Sequence, residues 1–271
     1  MHNWTWQTWQ GKSYLTCELM PQPHGFFTSA FAPMLPEALT PALAPAAEVL
    51  RVKQVHGSVV LSALEIQAGT KTLVASAVDG SVPDQDIQRP QADGCFSTRS
   101  GQAVWVCTAD CTPALIADVR TGLVAAVHAG WRGTAQGIVP VAVAKLQAQG
   151  SQLRDLRVLL GPAIAGDVYQ VGEDVAVAAG SSVVEPDRFT TDGALIDHLL
   201  AIDNPPLQPD GKPGHVRLDV RRINQIQLTQ LGLSLEQVAI APHCTYQEPE
   251  RFFSYRRTQR KQIQWSGIVS V

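Results

Sequence analysis

The chain has 271 residues, 45% hydrophobic and 17% charged, with a formal net charge of −3 and a pI near 6.1. That much apolar surface can close a sizeable core, while the mild acidity removes the basic field that nucleic-acid binding by counterion release requires. No run approaches the roughly 20 apolar residues of a membrane span, and MHNWTWQTWQGKSYLTCELM lacks the unbroken apolar segment of a secretory signal. We therefore expect one cytoplasmic domain over residues 1–271, without nucleic-acid or membrane partners. The five cysteines (17, 95, 107, 111 and 244) are scattered, odd in number and free of CxxC pairs, which favours reduced thiols over a disulfide framework and leaves at least one available as a thiolate ligand.

In chain order, residues 5–20 alternate aromatic and polar side chains and predict an opening strand or two, ended by Pro-Gln-Pro at 21–23. The Pro/Ala/Leu-rich residues 33–47 read as an irregular segment with a short helical turn, leading to a strand that delivers His56. Residues 80–91 and 203–214 carry the Pro, Gly and Asp content of surface loops. Residues 115–119 and 123–128 are short apolar runs separated by Arg120-Thr121-Gly122, a hairpin with glycine at the positive-φ position. A helix is expected over 134–149, just after the turn HAGWRGT, and an amphipathic helix within 216–231, beginning near Leu218-Asp219 and closed by Gly232. Residues 234–241 read as a strand entered from a turn. Hairpins among few helices indicate an α+β fold rather than regular βαβ alternation.

The hairpin carries the chemistry. Pairing its strands leaves Cys111 and His128 near one end, and His56, in RVKQVHG, follows another apolar-basic run. All three fall at element termini, where sites are commonly built. One thiolate and two imidazoles suit zinc, and three protein ligands leave a tetrahedral position open, as in catalytic sites. Cys107 is the rival thiol, and its inclusion would close the sphere and make the zinc structural; a bend at the proline following Cys111 is expected to separate the two cysteines. Asp110 is placed to move protons or orient water, or else to serve as a turn carboxylate or orient a histidine ligand. In HAGWRGT, two glycines and a helix start gather backbone N–H groups near Arg132, an arrangement that binds phosphate or makes a plain strand-to-helix turn. The C-terminal FFSYRRTQR adds Arg256, Arg257 and Arg260, and Trp131, Tyr169, Phe253 and Tyr255 offer stacking faces or core packing.

KQVHG, ADGCFST, TADCTP, HAGWRGT, GPAIAGDVYQVGEDV and CTYQEPERFFSYRRT, in this order from about residue 50 to the C-terminus, resemble the YfiH-like family, often described as multicopper polyphenol oxidase or laccase-domain proteins. The resemblance implies a single α+β domain of layered mixed β-sheets flanked by helices, with a zinc held by His56, Cys111 and His128. It further implies purine nucleoside chemistry, with phosphorolysis of adenosine, inosine, guanosine and methylthioadenosine, and adenosine deamination; some relatives are linked to editing of peptidoglycan precursors. The expected catalytic residues are then Asp110, Arg132 and Cys111, with purine nucleosides and phosphate as small-molecule partners. The alternatives are a copper-dependent phenol oxidase and a peptidoglycan-editing factor whose zinc is structural; the oxidase needs many histidines, usually in His-x-His pairs, and this chain has seven histidines and no such pair. The Thr-Arg-x-Gly-Gly and Ser-Leu-Asn segments usual in the family are replaced here by GFFTSAFAP (residues 25–33) and the Pro/Ala-rich stretch. The missing arginine implies either weak phosphorolysis or a burden of holding phosphate shifted to Arg132 and the C-terminal arginines.

Overall fold

The computed structural model describes residues 2–75 and 89–271. The loop expected over 80–91 therefore lies outside the described residues except for 89–91. The N-terminal alternation folds as a hairpin, Trp4–Trp9 against Lys12–Cys17, with Gln10 and Gly11 both at positive φ in the turn. This is the handedness that a two-residue hairpin connection demands. Two six-stranded sheets form the body. The first runs Trp4–Trp9, Lys12–Cys17, His24–Phe27, Gln264–Val269, Gln102–Thr108, Glu48–Arg51. The second runs Val238–Ile240, Leu156–Leu160, Thr112–Asp118, Val124–Ala129, Gly94–Phe96, Val60–Ser62. Both are mixed: the Glu48–Arg51 strand pairs parallel in the first, and Val60–Ser62 and Val238–Ile240 pair parallel in the second.

The period-2 alternation of the strands decides which side chains enter which layer. Val104 and Val106 from the first sheet meet Leu115, Ala117, Val124 and Ala126 from the second in the core between them. Ala103 and Trp105 turn the other way, to an outer cluster with Phe27, Phe31 and Leu39. The short helical elements Pro36–Leu39 and Thr40–Ala42, expected from residues 33–47, pack on this outer side. Ala114, Ile116, Ala125 and Val127 face outward from the second sheet onto Ile138, Val139, Ala142 and Val143. A sheet covered on both faces accounts for the unbroken apolar runs in its strands, and all seven residues of Thr112–Asp118 are buried. Truncating a side chain such as Leu115, fully buried in this interior, costs about 2–5 kcal/mol.

Beside the sheets lies a third layer, in which Gln170–Gly172, His215–Leu218 and Leu207–Pro209 form a three-stranded sheet packed with the helices Glu173–Gly180 and Asp192–Ala201. Residues 203–214 are thus not wholly irregular, because Leu207–Pro209 pairs antiparallel with Val216–Leu218. Its proline is tolerated because the strand lies at an edge. The helix expected over 134–149 is two helices, Trp131–Ala135 and Ile138–Ala148, broken where Gly137 takes φ 70°. The second expected helix is Val220–Gln230, with the Asp219 side chain capping the N–H groups of Arg221 and Arg222 and Gly232 at φ 103° beyond its end. The strand expected from 234–241 is Val238–Ile240, entered from a 3-10 turn at Leu235–Gln237.

Three segments pass from one sheet to the other at the same end of the sandwich. Residues 52–59 link Glu48–Arg51 to Val60–Ser62, residues 109–111 link Gln102–Thr108 to Thr112–Asp118, and residues 241–263 link Val238–Ile240 to Gln264–Val269. The first carries His56 and the second carries Cys111.

Candidate metal centre

The hairpin Thr112–Asp118/Val124–Ala129 forms in the register that pairs Pro113 with His128, with Gly122 at φ 75° in its turn. Cys111 immediately precedes the first strand, so the pairing brings it beside His128. His128 shares the strand parity of Val124 and Ala126 and is buried, 3% exposed, at the mouth between the sheets. His56 approaches from the 52–59 crossover in a left-handed backbone conformation, φ 62°. The ligating atoms of His56, Cys111 and His128 all lie within 4.8 Å of one another. The imidazole centroids are 4.8 Å apart and nearly perpendicular. His56 is exposed, Cys111 half-buried and His128 buried, so the group opens to solvent on one side. Among the described residues no other His, Cys, Asp or Glu completes such a group.

Behind the histidines lies Asp93, which is fully buried. Its Oδ1 accepts hydrogen bonds from His128 Nδ1 (2.8 Å) and the His56 backbone N–H (2.8 Å), and its Oδ2 from the Gly57 N–H (2.6 Å). The Val55 N–H lies 3.2 Å from both oxygens, and the His128 N–H donates to the Asp93 carbonyl at 2.7 Å. Burial pushes the Asp93 carboxyl up, but the His128 bond, the amide bonds and the His128 charge outweigh it and hold the group below the usual range. This residue is not among those singled out from the sequence, although it lies within ADGCFST. The available signal was an acid wedged between Ala92 and Gly94-Cys95-Phe96, where nothing else is charged.

The thiol shows the same competition. Burial pushes Cys111 up, yet the His128 charge and hydrogen bonds from both histidines bring it down to about 6. Burial opposes charging of His128, and the Cys111 thiolate and Asp93 overcome it, raising the imidazole to about 9. Both shifts run toward a thiolate–imidazolium pair, and a cation binding at the thiolate would displace the imidazolium proton. One soft thiolate and two imidazoles, one of them backed by a carboxylate, form a donor set suited to zinc. Gly130 completes the fit: a Cβ there would meet Cys111 Sγ at 2.9 Å.

Cys107 is not part of the group. It lies on a first-sheet strand, packs with the cluster of Trp105 and Trp265, and is tied through its backbone to Gln54. The bend that separates it from Cys111 is made by Asp110, at φ 91°, while Pro113 sits within the next strand. Both Asp110 carboxylate oxygens are engaged, Oδ1 by the Thr245 hydroxyl and Oδ2 by the Arg256 N–H, each at 2.7 Å. Asp110 thereby anchors the third crossover beside the group of His56, Cys111 and His128. Arg132 is exposed and, among the described residues, makes no ion pair; its guanidinium lies over the Trp131 ring, 4.3 Å from the centroid. Arg256 lies over Tyr169 at 4.7 Å and donates to the Gln170 carbonyl. Arg257 is spent internally, donating to the carbonyls of Thr245, Tyr246 and Phe252. Burial foremost, then the Cys111 charge, pushes the Tyr169 phenol up to about 12, and Arg256, Asp110 and Arg132 act on the same group. These residues therefore share one neighbourhood, with Tyr169 a neutral hydrogen-bond donor within it. Phe253 instead lines an apolar cavity of about 330 Å³ with Phe27, Phe31 and Trp265, and Tyr255 is half exposed.

Residues 37–269 match the family described as multi-copper polyphenol oxidoreductase laccase. The chain belongs to this family. It is 53% identical over 269 residues to a purine nucleoside phosphorylase of Synechocystis sp., covering 98% of this chain and 97% of that protein. It is 36% identical over 165 residues to the purine nucleoside phosphorylase Rv2149c of Mycobacterium tuberculosis, covering 61% of this chain and 56% of that one. The crystal structure of YlmD from Geobacillus stearothermophilus superposes with a TM-score of 0.73 at 23% identity over 98% of both chains. That likeness establishes the fold, a single-domain α+β arrangement of mixed sheets and helices.

Proposed function

We propose that this chain is a zinc-dependent purine nucleoside phosphorylase acting on adenosine, inosine, guanosine or methylthioadenosine, with His56, Cys111 and His128 as metal ligands. The observation that carries the reading is the convergence of these three side chains at an open mouth with two arginines beside it. The high identity to the Synechocystis protein over nearly the whole chain supports the substrate class. In phosphorolysis a phosphate oxygen forms a bond to C1′ of the ribose, the C1′–N9 bond breaks, and the electron pair leaving on N9 takes a proton. A zinc ion held by the trio supplies Lewis-acid polarisation.

The chain's own residues hold and orient. Arg132, exposed and free of ion pairing among the described residues, offers its guanidinium to phosphate, and Arg256 adds a second positive charge above Tyr169. The Tyr169 hydroxyl, kept protonated, donates a hydrogen bond to a ribose or phosphate oxygen, and the rings of Trp131 and Tyr169 offer faces for the base. Asp110 acts through Arg256 and Thr245, whose positions its carboxylate fixes. Adenosine deamination, in which water adds at C6 and ammonia leaves, is the second activity assigned to the centre. The copper-oxidase alternative is not favoured, because the seven histidines contribute only two residues to one group among the described residues. No disulfide joins any of the five cysteines among the described residues, which suits the reducing cytoplasm.

The test is incubation of zinc-loaded protein with each of adenosine, inosine, guanosine and methylthioadenosine, with and without phosphate, while following free base, sugar 1-phosphate and inosine. Phosphate-dependent release of base is expected. No base release from any of the four nucleosides rejects the assignment.

A further inference from the structure

Three successive backbone N–H groups, of Val55, His56 and Gly57, converge on the Asp93 carboxylate, which also receives His128 Nδ1. Consecutive amides around a left-handed residue form a concave anion nest, here filled by a side chain of the same protein. His56 holds φ 62°, a left-handed conformation that strains a non-glycine residue and persists only where its surroundings enforce it. The same carboxylate decides which nitrogen of His128 faces the thiolate: with Nδ1 occupied as a donor to Asp93, Nε2 remains for Cys111 and a metal.

We propose that Asp93 is the positioning residue of the centre, setting at once the tautomer by which His128 binds metal and the backbone that presents His56. This rests on the metal reading of the trio and goes beyond it by assigning one buried carboxylate to two ligands.

The substitution Asp93→Asn exposes the double role, because an asparagine of the same shape can serve only one of its two duties. With the NH₂ group at the Oδ2 position, donor faces donor at Gly57, and the His56 loop is held only through Oδ1, by its own N–H and that of Val55. With the NH₂ group at the Oδ1 position, it confronts the His56 N–H and turns His128 Nδ1 into an acceptor, placing the proton on Nε2 where the metal should bind. The first arrangement loosens the loop that presents His56, and the second disables His128.

The experiment measures zinc affinity by competition with a chromophoric chelator, alongside thermal unfolding of the metal-free protein. Asp93→Asn is expected to weaken zinc binding about 10–100-fold at temperatures where the metal-free variant is still folded, which lost stability alone would not produce. Parent-like affinity in the variant, with affinity abolished in Cys111→Ser, overturns the role of Asp93 and leaves the metal reading intact. Failure of the unsubstituted chain to bind zinc overturns both. Should Asp93→Asn not fold, ¹⁵N NMR of the imidazoles in the zinc-loaded parent decides: Nδ1 of His128 protonated and Nε2 metal-bound is expected, and coordination through Nδ1 overturns the proposal.

Discussion

Gly130→Ala adds one methyl group at the most crowded point of the centre. Gly130 has φ −71° and ψ 168°, a backbone that alanine adopts freely, so the substitution carries no conformational penalty and reduces unfolded-state freedom by about 0.4–1 kcal/mol. The new Cβ would stand 2.9 Å from Cys111 Sγ and 3.7 Å from His56 Cδ2. Carbon contacts settle near ~3.5–4.0 Å, and sulfur is no smaller, so the thiolate must retreat by about 0.6 Å or more. Metal–ligand distances tolerate only about ±0.2 Å. The cost therefore falls on the centre rather than the fold, and a misplacement approaching 1 Å costs of the order of 100-fold, or about 2.7 kcal/mol. Chelator competition should show zinc affinity reduced on that scale, with nucleoside turnover falling alongside it at limiting zinc. Unfolding of the metal-free variant should remain within about 1 kcal/mol of the parent. Unchanged zinc affinity in Gly130→Ala would refute the placement of Cys111 as a ligand packed against this glycine.

With Cys111 held near 6, iodoacetamide should alkylate it in metal-free protein at a rate that falls only as pH drops through about 6. At pH 7 roughly 90% is thiolate, against about 1% for an ordinary thiol of pKa 9; mass spectrometry across pH 5–9 checks this, and zinc should protect the site. Arg132 of HAGWRGT and Arg257 of YRRT should behave oppositely. Arg132→Ala is expected to raise KM for phosphate about 10–100-fold, the worth of a charge-assisted bond, without altering zinc content or stability. Arg257→Ala removes bonds to three carbonyls and should lower unfolding free energy by about 2–4 kcal/mol, measured by urea denaturation. Equal phosphate dependence in parent and Arg132→Ala would reject the anion role.

The site was legible in sequence where local rules apply. A glycine turn fixed the hairpin, the hairpin fixed its end, and the end brought Cys111 to His128. His56 was joined to the pair only by its place at an element terminus beside Gly57, a choice the motif resemblance repeated, since its contact depends on a crossover between sheets that no local pattern encodes. Asp93 was missed because its partners come from residues 55–57 and 128, and burial of an acid is visible only once those donors surround it. Asp110 was noticed for its place beside Cys111, but its occupation by Thr245 and Arg256 is a long-range fact. The helix break at Gly137 had a local cue that helical spacing on either side overrode, and the strand Leu207–Pro209 was hidden by prolines that an edge position tolerates. The layered α+β architecture followed from the clustering of hairpins and from the resemblance, whereas the division of the strands into two sheets did not, because period-2 alternation says which side chains share a face and nothing about which sheet owns it.

Each of the crossovers bearing His56 and Cys111 leaves one layer of the sandwich and enters the other. A cation gripped by both crossovers and by His128 is in effect a rivet through the laminate: peeling the sheets apart from that edge means first releasing the ion. Loading should then raise the melting temperature with free zinc concentration, as mass action requires, and direct the earliest opening to the opposite rim.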